Sequence, residues 1–168
     1  ISPTAVEITQ SIKLSGHKGD VRAVAFDPGS SWLATGGSGR SIYLWDLTAI
    51  DRNTQEITQS IELPGHTATI RDLEFSRNSL WLASAAADNT IRLWQWQEEA
   101  AMPTTTVVLQ DHTGEVRTVA ISADGRWLVS GSEDSTARLW DLTAPDPSTE
   151  SIEIGRASCR ERVEISVV

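Results

Sequence analysis

Six of the seven tryptophans and all three histidines of this 168-residue chain stand in one phase. Leu-Trp pairs end at Trp45, Trp94 and Trp140. Thirteen residues before each lies another tryptophan (Trp32, Trp81, Trp127), and 28 residues before each lies a histidine (His17, His66, His112). The period is 49 residues, then 46, and the whole difference falls between a tryptophan and the next histidine, 21 residues and then 18. A constant core with a variable connector is the trace of a repeated structural unit joined by surface loops. Only Trp96 is out of register. Two residues past a repeat tryptophan, it serves either local packing or contact with a partner.

Within each unit apolar residues alternate with period two, the pattern of half-buried strands. Val21–Phe26 reads as one strand, followed by an Asp27-Pro28-Gly29 turn. Trp32–Thr35 reads as the next, ending at Gly36-Gly37, then Ile42–Trp45, with a fourth beyond the connector at Ser60–Leu63. The later units repeat the order, with turns at Arg77-Asn78 and Ala123-Asp124-Gly125. Stretches of helical period and helix caps are missing. The expected fold is all-β, in units of four strands. The connectors, Thr48–Thr58, Gln95–Thr106 and Thr143–Ser151, are polar and suit exposed loops.

Composition narrows the function. Fourteen Lys and Arg face 23 Asp and Glu, a formal charge of −9. Such a surface repels phosphate backbones, so no nucleic-acid partner is expected. No apolar run approaches the ~18 residues of a spanning helix, so no membrane partner is expected either. Cys159 is the only cysteine, which excludes an internal disulfide and a cysteine-based zinc site. These features favour a cytoplasmic protein. The chain begins Ile1-Ser2-Pro3, without an initiator Met or signal peptide, which suggests a start inside a longer protein.

Gly16-His17 and Gly65-His66 open the first two units, and Trp45-Asp46 and Trp140-Asp141 close the first and third. In these dipeptides and their spacing the chain resembles WD-repeat β-propeller proteins over residues 9–153. Asp111 departs from the pattern before His112, and Gln95 departs from it after Trp94. The resemblance implies three four-stranded antiparallel blades, plus one extra N-terminal outer strand at Ile8–Leu14 that belongs to a missing blade. Three blades fall short of the 4–8 that close a ring, so a β-propeller fragment is expected, its neighbouring blades missing. Residues 1–153 form the partial propeller, with repeats at approximately 15–63, 64–109 and 110–153.

The resemblance also implies a hydrogen-bond network of His, Ser or Thr, Asp and Trp in each blade. By position these are His66, Ser84, Asp88 and Trp94 in the second repeat, and His112, Ser130, Asp134 and Trp140 in the third. The first repeat supplies His17, Thr35 and Trp45 but has Gly39 in place of the Asp, and is expected to be the least tightly tied. His, Asp and Ser together are also the composition of a hydrolytic triad. Their recurrence in phase with the repeat argues for structure, so no catalytic residue is expected. Histidines on separate blades make no metal site. Gly36-Gly37-Ser38-Gly39-Arg40 lacks the Lys-Ser/Thr and helix of a phosphate-binding loop. No cofactor is expected.

The remaining candidates are Arg22, Arg71 and Arg117, each five residues after its histidine. In the resembling family this part of the first strand lies near the top face, where partners dock. Asp20, Thr69 and Glu115 stand two residues earlier, and Ser38, Ala87 and Glu133 just before the network Asp or its replacement. The arginines either form a cationic collar for an acidic peptide or phosphate, or pair with carboxylates such as Glu133 and Glu115.

After Ile152 the third unit departs from the repeat. Residues 153–163 and 165–168 resemble, codon by codon, a translated short-read sequencing adapter, with Glu164 departing from it, so residues 154–168 read as a non-native tail; the alternative is a genuine diverged terminal segment. The leading functional expectation is a non-catalytic scaffold or sensor module that binds a protein or peptide partner within a larger signalling or regulatory protein. The alternatives are part of a multidomain protein with a kinase, NTPase or protease-like domain upstream, or a propeller enzyme with a central active site.

Overall fold

The computed structural model describes residues 11–48, 50, 53–95, 103, 105–148 and 151–154. Trp96, residues 155–168 and the first part of the expected N-terminal strand lie outside the described residues. Fourteen strands and no helix occur among them, and no helix is long and apolar enough to cross a membrane.

Twelve of the strands make three sheets of one design. The first contains β2 (Val21–Phe26), β3 (Trp32–Gly37), β4 (Ile42–Asp46) and β6 (Ile61–Leu63). The second contains β7 (Ile70–Phe75), β8 (Trp81–Ala86), β9 (Ile91–Gln95) and β10 (Thr105–Leu109). The third contains β11 (Val116–Ile121), β12 (Trp127–Ser132), β13 (Ala137–Asp141) and β14 (Ser151–Ile154). Every neighbouring pair within these sheets is antiparallel. The extra N-terminal strand, β1 (Lys13–Leu14), pairs in parallel with β5 (Glu56–Ile57), which lies in the first connector. β14 runs through Ile154, whose Cα pairs with that of Ala137.

The hairpin between the first two strands of each blade is set by one side chain. Asp27 accepts the backbone N–H of Trp32 at 2.6 Å and that of Gly29 at 2.9 Å. Ser76 and Ser122 do the same for Trp81 and Trp127 through their hydroxyls, each at 2.9 Å. The chain then passes through left-handed φ at Ser30, Ser79 and Gly125, which occupy one repeat position.

A β-bulge interrupts the first strand of each blade, where the register slips between Val21 and Ala23, Ile70 and Asp72, and Val116 and Thr118. The unpaired residue is Arg22, Arg71 or Arg117. A bulge reverses the alternation of faces. Val21, Val24 and Phe26 therefore share one face, while Ala23 and Ala25 take the other.

Blades stack face to face. The first junction buries Ala23, Ala34, Ile42, Leu44 and Leu63 of blade one against Ile70, Leu73, Phe75, Leu82 and Trp94 of blade two. The second buries Ala83, Ala85, Ile91, Leu93 and Leu109 against Val116, Val119, Leu128 and Trp140. The chain is thus held by inter-sheet cores rather than by a core inside any one unit.

Candidate functional site

In the second blade, His66 Nδ1 lies 2.9 Å from Asp88 Oδ2 and Nε2 lies 2.8 Å from Ser84 Oγ. The Trp94 indole N–H donates to the same hydroxyl at 3.3 Å. The third blade repeats this, with His112 at 2.7 Å from Asp134 and 2.8 Å from Ser130, and Trp140 donating to Ser130 at 3.0 Å. With the carboxylate accepting from Nδ1–H, Nε2 is the acceptor for the serine hydroxyl, which in turn accepts the indole N–H.

Asp88 and Asp134 also close their turns. Asp88 accepts the N–H of Thr67 at 2.8 Å and the hydroxyl of Thr90 at 2.7 Å, and Asp134 accepts from Thr113 and Thr136 in the same places. Burial pushes both carboxyls up, but the bonds from His66, Thr90 and Thr67, and from Thr136, His112 and Thr113, outweigh it. Both are held well below the usual carboxylate range.

His, Ser and Asp thus meet with the composition of a hydrolytic triad. Ser84 and Ser130 are buried, as are both histidines, and each hydroxyl already serves as acceptor for an indole. Among the described residues no group of His, Cys, Asp and Glu is placed to hold a metal ion.

The first blade builds only half of this. His17 Nε2 lies 2.6 Å from Thr35 Oγ1, and Trp45 donates to the same hydroxyl at 2.7 Å. Gly39 supplies no carboxylate to Nδ1. Burial lowers the His17 pKa from its ordinary value.

The nine candidate partner contacts converge at one end of the inner hairpins. Backbone bonds join Ser38 N–H to Asp20 C=O, Ala87 to Thr69 and Glu133 to Glu115, at 3.0, 2.9 and 2.9 Å. The arginines emerge beside them from the bulges, a placement that strict alternation did not anticipate. The signal was present in the spacing of Val21, Val24 and Phe26, which is three and then two. Each guanidinium meets a carboxylate. Arg22 pairs with Asp20 of its own blade at 3.3 Å. Arg71 reaches Glu115 of the next blade at 2.8 Å. Arg117 bonds Glu133 through Nε at 3.0 Å and lies 3.3 Å from Glu115. Arg22 and Arg117 remain about half exposed, and Arg71 less so.

Sequence reasoning missed two residues that tie the blades. Asp72 Oδ2 accepts the Thr118 hydroxyl at 2.8 Å and the Val119 N–H at 3.0 Å across the second junction. Asp111, the departure before His112, lies 3.6 Å from the Arg138 guanidinium and accepts the Ser151 hydroxyl. At the equivalent Gly65, φ is +155° and a Cβ would come 2.8 Å from Arg92 Nη1. Glycine is needed there, whereas Asp111 avoids that backbone and gains an ion pair.

Stacked four-stranded blades carrying this network define a β-propeller segment, and the comparison with known families agrees. The family model for the WD domain, G-beta repeat, matches residues 8–46, 57–95 and 103–141. The chain belongs to the WD-repeat family. The second and third matched segments each take in the outer strand of one sheet and the three inner strands of the next, as with β6 and β7–β9, so consecutive blades are stapled covalently. Among curated proteins, the chain is 53% identical over 34 residues to protein pleiotropic regulator PRL2 of Arabidopsis thaliana, covering 20% of this chain and 7% of that protein. It is 47% identical over 36 residues to pleiotropic regulator 1 of Homo sapiens, covering 21% and 7%. It is 45% identical over 40 residues to ribosome biogenesis protein erb1 of Botryotinia fuckeliana (strain B05.10), covering 24% and 5%. The matched stretches span less than a tenth of each of these relatives.

Proposed function

We propose that the chain is the interaction-bearing part of a non-catalytic scaffold or sensor module in a larger regulatory protein, and that its partner is a protein or peptide. The observation that carries this reading is the contrast between two polar sets. The His–Ser–Asp groups that could do chemistry are buried, whereas Asp20, Arg22, Ser38, Thr69, Arg71, Ala87, Glu115, Arg117 and Glu133 gather at the hairpin ends at least partly exposed, the arginines paired with neighbouring carboxylates. Bulges aim the three arginines there from a rigid sheet, an arrangement suited to recognition. The regulator-named relatives fit a regulatory setting.

The test is affinity purification from the source cells, with the chain as bait beside its Arg22→Ala/Arg71→Ala/Arg117→Ala variant. Loss of a specific protein from the variant, with thermal melting unchanged, supports the reading. An identical partner set from both baits removes these residues from it.

A further inference from the structure

At the second junction one carboxylate is gripped by arginines of two blades. Glu115 Oε2 lies 2.8 Å from Arg71 Nη2, which reaches it from blade two, and 3.3 Å from Arg117 Nη2 of its own blade. Glu133 holds Arg117 from the other side, accepting its Nε–H at 3.0 Å. The seat for the Glu115 carboxylate is thus made by the bulge arginines of two neighbouring strands, β7 and β11.

The first junction, both of whose blades lie within the chain, has the same frame. β2 packs on β7 as β7 packs on β11, and Arg22 and Arg71 issue from equivalent bulges. The Ala87 N–H donates to the Thr69 C=O at 2.9 Å, as the Glu133 N–H donates to that of Glu115 at 2.9 Å. The side chains differ. Thr69 stands where Glu115 stands, and Ala87 where Glu133 stands, so neither brings a charge to the two guanidinium groups.

The arginines register the difference. Arg22 meets no carboxylate on blade two and turns back to Asp20 at 3.3 Å, an exposed pair of the kind that contributes little. The Nε–H of Arg71 is buried without a hydrogen-bond partner among the described residues, whereas that of Arg117 is taken by Glu133. A guanidinium offers five donors, and Arg22 and Arg71 keep capacity that Arg117 has filled.

We propose that a carboxylate from an acidic peptide segment of the partner binds between Arg22 and Arg71, over Thr69 and Ala87, as Glu115 binds between Arg71 and Arg117. This rests on the reading that a partner docks at the hairpin ends, and it gives that partner an Asp or Glu side chain at the first junction. The chain as a whole, at a formal charge of −9, repels an acidic peptide. Attraction is confined to the junction where arginines outnumber carboxylates. At the second junction Glu115 and Glu133 offset Arg71 and Arg117.

The test is fluorescence anisotropy of a fluorescein-labelled hexaglutamate peptide at low ionic strength, with the 168-residue chain and its variants, each checked for folding by thermal melting. Hexaglutamate is expected to bind and hexaglutamine not to. Arg22→Ala and Thr69→Glu each weaken binding on the order of tenfold, the scale of one charge-assisted hydrogen bond, the second by placing the chain's own carboxylate in the seat. Thr69→Gln, of similar size without the charge, retains most of the affinity, and Arg117→Ala changes it little. Absence of hexaglutamate binding overturns the proposal. So does unchanged affinity in Thr69→Glu, an equal loss in Thr69→Gln and Thr69→Glu, or binding confined to a phosphoserine peptide. The functional reading fails separately. A partner lost from the triple arginine bait but retained by a Thr69→Glu bait overturns the carboxylate seat alone. Identical partner sets from wild type and both variants overturn that reading, and the seat with it.

Discussion

His66 and Asp88 are joined at 2.9 Å through Nδ1 and Oδ2, and the same carboxylate holds the Thr67 N–H at 2.8 Å. The bond fixes the tautomer of a buried imidazole and closes a turn between strands of one blade. In blade one the equivalent positions are His17, Gly39 and Lys18, so one residue change removes both bonds.

Restoring that carboxylate is expected to stabilise the protein. At Gly39 a Cβ would meet the Lys18 backbone N and Cβ at 3.7 Å, ordinary contact. Gly39→Asp therefore fits, with its carboxylate beside the His17 ring and the Lys18 N–H. The expected gain is about 1–2 kcal/mol for a charged hydrogen bond to partly buried donors. At ~2–4 °C per kcal/mol for a domain of this size, calorimetry resolves it. An unchanged melting temperature would show that blade one is not limited by this gap.

The same gap sets a pH dependence. Burial lowers His17 below its ordinary 6.5, so as pH falls the unfolded chain takes up that proton before the folded one. Stability from this group is complete above about 6.5 and declines as pH drops from there towards the folded pKa. Asp88 and Asp134 are lowered from 3.8, so their contribution persists to below about 4 and is lost only as pH falls further. Urea unfolding between about pH 5 and 8 should show a decline that His17→Gln removes and Gly39→Asp reduces or reverses. A flat profile in the wild type would contradict a half-buried His17 held below its ordinary pKa.

Much of this fold was legible because repetition amplifies a weak signal. Val21–Phe26 is marked as a strand by its own residues, and Ile70–Phe75 and Val116–Ile121 say the same twice more. The networks were readable residue by residue, since an indole and an imidazole sealed between sheets must each find a partner. What alternation concealed is the bulge. Arg22, Arg71 and Arg117 read as ordinary members of a strand until the three-then-two spacing of their apolar neighbours is taken as a register slip. Asp72 and Asp111 were illegible for another reason. Both act between elements distant in sequence, and neither occupies a position that recurs as the same residue type.

The left-handed turn positions give a second repeat-based test. Ser30 and Ser79 have φ of 55° and 57°, where the third blade has Gly125 at 75°. An L side chain in that region costs roughly 1–2 kcal/mol, and glycine's extra freedom in the unfolded chain returns part of it. Ser30→Gly and Ser79→Gly should each stabilise by about 0.5–1 kcal/mol. Gly125→Ala should destabilise, because its Cβ would also lie 3.1 Å from Asn78 Nδ2. Destabilisation by either glycine substitution would mean that the serine side chain contributes more than the backbone strain removes.

Asp72 separates the two blade junctions. Its carboxylate receives the Thr118 hydroxyl and the Val119 N–H from the third blade, and its other oxygen lies 3.0 Å from its neighbour's N–H at Leu73. The equivalent residue in blade one is Ala23, packed in the first junction core, so only the second junction has this clasp. Asp72→Ala leaves the Val119 N–H without its acceptor beside a buried core, a loss of about 1–3 kcal/mol. Because the damage lies at one junction, amide exchange should accelerate at Val119 and its neighbours on β11 while β2 and β3 keep their protection. The Thr118→Val variant retains the backbone bond and should cost less. Residues sharing a hydrogen bond couple, so a cycle over Asp72→Ala and Thr118→Val should give less than the sum of the two. Strict additivity would show that the hydroxyl bond carries no energy. Uniform exchange across all three blades would show that the stack opens as one unit.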